Sequence, residues 1–211
     1  MARLIDNPLG SLSGKAGSLV FKKGKYGNYV CSLPSPSTAK RTKPQQLQQS
    51  KMKAVMHFLK PARMILNKTY FPLQKNKPVF NSLKSYYLRH GVISNKNGYT
   101  IDYSRCLMSY GDLRIPEHLQ LQRIGSLGVN VTWSANNDQA LANKNDRLFA
   151  IVYQPDTHKF KLFDNLGFRK SKNGHFVLPE VWSSFTDFHL WIGYLCPKQE
   201  NASISVYMGQ L

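Results

Sequence analysis

Apolar and polar positions follow three different rhythms along this chain. Between residues 42 and 91 the spacing is helical. Leu47, Val55, Phe58, Leu59, Ala62, Ile65 and Leu66 fall on one face of a 3.6-residue period, with lysines opposite. Thr42-Lys43-Pro44-Gln45 supplies the start: a capping Thr, an early Pro, and Gln three residues after the cap. Pro61 is expected to kink or split this helix, because its ring removes an N–H donor and crowds the preceding turn. A second helix is predicted from Asn76 as cap, through Pro78, to Arg89, with Gly91 as its stop. Val79, Phe80, Leu83, Tyr86 and Tyr87 would form its buried side.

Ahead of the helices, residues 9–33 are punctuated by glycine. Leu19-Val20-Phe21 and Asn28-Tyr29-Val30-Cys31 flank a Gly/Lys turn, the pattern of a β-hairpin. Pro34 and Pro36 end it, and Ser35–Arg41 reads as a linker. A hairpin this small is expected to lie on something else.

After Gly91 the pattern becomes short β-prone runs between turn signals. They lie around Thr100–Tyr103, Cys106–Tyr110, Leu119–Ile124, Leu127–Trp133, Leu148–Gln154, Lys159–Phe163, His175–Leu178, Leu190–Cys196 and Ile204–Met208. Tyr110-Gly111-Asp112, Asn136-Asn137-Asp138, Gln154-Pro155-Asp156, Asn165-Leu166-Gly167 and Asn173-Gly174 separate them. Such spacing predicts an antiparallel β-sandwich of the immunoglobulin or fibronectin III kind, with Trp133 and Trp191 anchoring its core. The expected fold is therefore α+β and mainly β. Residues 1–98 form a basic region of hairpin and two helices, and 99–211 form the sandwich domain.

Charge sharpens that division. The net charge is +18. Residues 1–101 hold 18 Lys/Arg against one acid, Asp6, whereas residues 102–211 hold 11 against 10 acids. So one-signed a surface repels itself, and an anionic partner would relieve it. At 42% hydrophobic the chain has enough apolar residues for a real core. Its longest apolar runs fall far short of the ~20 residues that cross a bilayer. Met1–Pro8 lacks the apolar stretch of a signal peptide, so a cytoplasmic location is expected, although export without a leader would look the same.

Candidate chemistry is sparse. Cys31, Cys106 and Cys196 are far apart and form no CxxC pair, so each is expected to pack as a small hydrophobe. Gly10-Ser11-Leu12-Ser13-Gly14-Lys15-Ala16 approaches a phosphate-cradling P-loop. It is one residue short between its glycines and lacks the hydroxyl after Lys15. His57, His90, His118, His158, His175 and His189 make no HxH or HExxH unit, so no metal clip is expected. Asp102-Tyr103-Ser104 has no nucleophile elbow around it, and Asp102 is expected to accept hydrogen bonds from its own turn. No cofactor site is expected.

Several pieces, taken in order, resemble an uncharacterised Bacteroidetes family catalogued as a domain of unknown function. They are Gly14-Lys15-Ala16-Gly17-Ser18 with Val20, Tyr29-Val30 and Pro34; Thr42-Lys43-Pro44-Gln45-Gln46; Ile101-Asp102-Tyr103-Ser104; Ser109-Tyr110-Gly111; Val131-Thr132-Trp133; and Ser203-Ile204-Ser205-Val206-Tyr207. The resemblance spans nearly the whole chain and implies a source but no mechanism. Cys31 stands where many members carry Arg.

Two functional expectations follow. The first is a non-enzymatic structural, assembly or protein-interaction module, with a protein partner that is either another copy or a different chain. The alternative is sequence-tolerant binding of nucleic acid or another polyanion. Its candidate residues are Lys22, Lys23, Lys25, Lys40, Arg41, Lys43, Lys51 and Lys53, joined by Lys60 and Arg63. Tyr26 or Tyr29 would stack on bases. No helix-turn-helix, RNP, KH or zinc-finger signature accompanies that charge.

Overall fold

The computed structural model describes residues 2–4, 13–24, 27–35, 40–71, 78–95, 98–198 and 200–211. They fall into two compact units, Met1–Thr42 and Lys43–Leu211.

The first unit is a four-stranded antiparallel sheet. It contains β1 (Ala2–Leu4), β2 (Gly14–Ala16), β3 (Leu19–Gly24) and β4 (Gly27–Ser32), in the order β1-β4-β3-β2. The expected hairpin is β3–β4, in register from Leu19 opposite Ser32 to Gly24 opposite Gly27. The flanking strands extend it into a sheet. Gly17, at φ +57°, supplies the positive φ that the two-residue β2–β3 loop requires. The P-loop-like Gly14-Lys15-Ala16 is therefore strand β2, followed by a turn and another strand rather than by a helix.

The second unit opens with α1 (Lys43–Thr69) and α2 (Val79–His90), then the hairpin β5 (Val92–Asn95) and β6 (Gly98–Ile101). Of the kink or split expected at Pro61, the split does not occur: α1 runs unbroken through it. Phe58, Leu59 and Ala62 around it are buried in one core. Their burial offsets the roughly 3 kcal/mol that an interior proline costs. Leu47, expected on the apolar face, is 55% exposed. Asn76 lies outside the described residues. Within α2, Leu83 and Tyr87 are buried, while Val79, Phe80 and Tyr86 are half-buried.

Two antiparallel sheets complete this unit. One has the order β10-β9-β12-β13, from β10 (Lys159–Phe168), β9 (Arg147–Gln154), β12 (His189–Leu195) and β13 (Val206–Gln210). The other has the order β11-β8-β7, from β11 (Asn173–Val177), β8 (Gly128–Ser134) and β7 (Glu117–Ile124). Val129, Val131 and Trp133 of β8 share a core with Leu148, Ala150 and Val152 of β9 and with Leu190, Ile192 and Tyr194 of β12. The predicted antiparallel sandwich is thus present. The run Cys106–Tyr110 is not a strand of it. The Met108 and Ser109 amides donate to the Ser205 hydroxyl rather than to a strand ladder.

The alternate residues of β9 and β12 face the other way. Phe149, Ile151, Tyr153 and Trp191 pack with Val55, Phe58, Leu59, Ala62 and Leu66 of α1 and with Leu83 and Tyr87 of α2. Both faces of these central strands are buried, which explains their near-continuous apolar sequences; β7, with one open face, alternates instead. The unit therefore has three layers: helices, the four-stranded sheet and the three-stranded sheet. Trp133 lies between the sheets as expected, but Trp191 belongs to the helix-side core. The pattern predicts a boundary after residue 98, yet by packing the helices belong with the sandwich, because the outer face of its larger sheet is apolar.

Candidate functional site

The eight cations proposed for polyanion contact divide between the two units. Lys22 and Lys23 are exposed neighbours in β3, so their side chains leave opposite faces of that sheet. Lys25 lies outside the described residues. Lys40 and Arg41 are exposed just before α1, and Lys43 is exposed at its first residue. Lys51 is half-buried on α1 and Lys53 exposed, two residues apart and so on different sides of the helix. Of the eight, Lys53 lines a cavity.

That cavity arises from helix periodicity. Ser50, Lys53, Ala54 and His57 sit at i, i+3, i+4 and i+7 of α1 and line an open surface hollow of about 290 Å³ with Tyr99 of β6. Gly98, at φ +131°, holds the β6 backbone beside it, where an added Cβ would lie 3.7 Å from Ser50 Oγ. The His57 ring meets that of His158 edge to face, with centroids 4.2 Å apart. His158 sits at φ +52° in the β9–β10 turn, its Nδ1 3.0 Å from the Tyr153 hydroxyl. Burial, together with the neighbouring Tyr103, pushes the Tyr153 phenol well up from its usual pKa and keeps it protonated.

A second side-chain group stands along the same sheet. The Tyr103 and His189 rings lie 3.9 Å apart, and His189 Nδ1 is 2.7 Å from the Tyr207 hydroxyl. Burial holds the His189 imidazole below its usual pKa, against a smaller opposing effect of Asp187. Nothing in the sequence joins residues 57, 103, 158, 189 and 207; the packing of α1 and of two turns against the four-stranded sheet brings them together. Among the described residues, no three or more His, Cys, Asp or Glu are grouped so as to hold a metal ion.

The segment that supplies the cavity lining is one-signed. Residues 43–101 hold 11 Lys/Arg and no Asp or Glu. On the helices, Lys60, Arg63 and Lys68 are exposed, and Arg63 and Lys84 lie 5.5 and 5.9 Å from the centre of the Phe80 ring. Among the described residues, Lys53, Lys60 and Lys68 join no ion pair.

The open face of the three-stranded sheet has a different chemistry. Gln120, Thr132 and Asn173 form one cross-strand row, and Gln122, Asn130 and His175 form the next. Surface hollows of about 310 and 370 Å³ flank β8, both lined by Asn130 and Thr132. The β-period marks these residues as outward-facing, but the sequence offered no reason to single them out.

Asp102 caps the short 3₁₀ turn Tyr103–Arg105, accepting from the Ser104 amide at 3.1 Å, as expected. Cys106 is buried, and desolvation pushes its thiol far above the usual range; all three cysteines are free thiols.

Residues 11–209 match the family described as "Family of unknown function (DUF6266)". No curated protein matches the chain. Among solved structures, the fn3 domain of the human collagen alpha-1(XX) chain aligns at 14% identity over 47% of this chain and 83% of its own, with a TM-score of 0.33. A computationally redesigned β-sandwich protein aligns at 14% identity over 47% of this chain and 94% of its own, with a TM-score of 0.30.

Proposed function

The chain belongs to the DUF6266 family, and we propose that it is a non-enzymatic binding and assembly module whose contact surface is the open face of the three-stranded sheet. The observation behind this reading is the pair of cross-strand rows, Gln120–Thr132–Asn173 and Gln122–Asn130–His175. Five of these six side chains are uncharged amides or hydroxyls. They offer donors and acceptors in a fixed grid, with little of the acid, base or nucleophile that catalysis needs. β7 pairs on one side with β8 and ends the sheet, so a partner strand has a place to add. The partner is a protein, either another copy or a different chain. The test is Asn130→Arg with Thr132→Arg, followed by light scattering and crosslinking. Loss of an assembly that the parent forms supports the reading. A parent that stays monomeric and uncrosslinked at high concentration overturns it.

A second reading, polyanion binding through the basic N-terminal half, is favoured by residues 1–101, which hold 18 Lys/Arg against one acid. It expects affinity for labelled DNA or RNA that falls steeply with salt. It also expects loss of binding when Lys22, Lys23 and Lys25 are all changed to Glu. Affinity indifferent to both would remove it. A cytoplasmic location in a Bacteroidetes cell belongs to the same proposal.

A further inference from the structure

We propose that the hollow formed by Ser50, Lys53, His57 and Tyr99 is a phosphate-binding site. It goes beyond the assembly reading, which concerns a different face. It also stands apart from diffuse polyanion binding, because it is one pocket with its own donor set.

The argument begins with the lining. Residues carrying a hydroxyl, an ammonium, an imidazole and a phenol come from two elements, α1 and β6, and line one volume. All four can donate hydrogen bonds, Lys53 is a cationic side chain, and none of the described lining residues is acidic. Carboxylates are absent from the whole stretch 43–101 that supplies these residues. An acid close by in sequence to His158, Asp156, already accepts from Gln154 Nε2 at 2.8 Å. An incoming anion therefore meets Lys53 without displacing a carboxylate of the described residues, among which Lys53 has no ion-pair partner to give up.

Size and geometry narrow the class. About 290 Å³ lies at the lower end of the ~300–1,000 Å³ typical of ligand pockets, enough for a phosphoryl group and a small part of whatever carries it. Phosphate offers three or more acceptor oxygens in a tetrahedral array, which suits donors arriving from a helix on one side and a strand on the other. A carboxylate, with two oxygens in one plane, would leave part of this set unused. His158, edge-on to His57 at 4.2 Å, limits the ring positions open to His57 and so pre-orders one donor. Lys60, Arg63 and Lys68 lie on the same acid-free helix and raise the local anion concentration, but none of them lines the pocket.

The phosphate source is either a free monoester or a nucleic-acid backbone, and the test has an arm for each. Intact protein is titrated with inorganic phosphate and with AMP, following the His57 and Tyr99 ring resonances by NMR. Labelled single-stranded DNA is titrated in parallel by anisotropy. Lys53→Met and His57→Gln are compared with Lys68→Met, which removes the same charge from α1 outside the pocket. All three positions are exposed, so thermal melts should match the parent. The expected result is saturable binding of phosphate and AMP that weakens about tenfold in Lys53→Met and His57→Gln but not in Lys68→Met. DNA affinity that falls in parallel assigns the site to the backbone phosphate of a polymer; unchanged DNA affinity assigns it to a free monoester. Absence of saturable binding by the parent, or equal losses in Lys53→Met and Lys68→Met, overturns the proposal.

Discussion

Arg169 and Asp146 form an ion pair at 3.1 Å with both side chains closed off from solvent. The guanidinium also donates to Asn136 Oδ1 and to the Arg114 carbonyl, and it lies 3.7 Å from the centre of the Tyr194 ring. The Arg169 carbonyl accepts from Trp133 Nε1 at 2.9 Å. One arginine thus ties the loop before β9, the end of β10, β8 and β12 at one end of the sandwich.

Removing one partner of such a pair leaves a buried charge without compensation, which typically costs 3–5 kcal/mol. Asp146→Ala should lower unfolding stability by about that amount in urea. Arg169→Lys should also be costly, since an ammonium cannot reproduce the planar fork that reaches Asp146, Asn136 and Arg114 together. A loss below about 1 kcal/mol in both variants would show that the cluster is not a structural tie.

The three-layer packing makes a claim about fragments. A chain of residues 43–211 should fold cooperatively. A chain of 99–211 should aggregate or bind hydrophobic dyes, because it exposes Phe149, Ile151, Tyr153 and Trp191, which the helices otherwise cover. A monomeric, cooperatively melting 99–211 fragment would contradict that packing.

Trp191 separates volume from polarity within this layer. Among the described residues its indole N–H finds no acceptor, so Trp191→Phe gives up no hydrogen bond to them. Trp191→Ala should cost about 3–5 kcal/mol by cavity formation, and Trp191→Phe clearly less. Equal losses in the two, measured by chemical denaturation, would refute the distinction.

His189 sets a direction for acid sensitivity. Its folded pKa lies below the usual 6.5, so below that pH the unfolded chain takes up the proton more readily than the folded one. Its contribution is complete above about pH 6.5 and is lost as the pH falls toward and through the folded value. His189→Gln should flatten that part of the stability profile. An unchanged slope would assign the acid sensitivity to other groups.

Thiol accessibility offers a quick test of the core. Cys106 is buried and its thiol is pushed far up, so a thiolate-directed reagent at pH 8 should modify Cys31 and Cys196 well before it. Modification of all three at similar rates in native protein would contradict its placement.

Periodicity alone was enough for both helices, the central strands and the sandwich. The alternation in β7 and β8, the apolar runs of β9 and β12 and the helical spacing of Val55–Leu66 are local signals, each carried by neighbours in the chain. The lopsided charge and the capping role of Asp102 were legible for the same reason. What covers each apolar face was not. A strand buried on both sides does not say which layer it meets, so Trp191 could be assigned to the sandwich interior when it faces the helices. Pro61 predicts a kink or a split because its local cost is visible and the core that keeps the helix continuous is not. The Arg169–Asp146 pair spans 23 residues, and the neighbouring imidazoles of His57 and His158 lie 101 apart. Side chains so distant in sequence are joined only by register and layer packing, which chain-local pattern does not encode. Sequence by itself determined most of the helices and strands and where the charge lies, while the run Cys106–Tyr110 took its strand-like look from burial alone. Tertiary structure decided which faces meet, because that depends on apolar surfaces from distant segments finding one another.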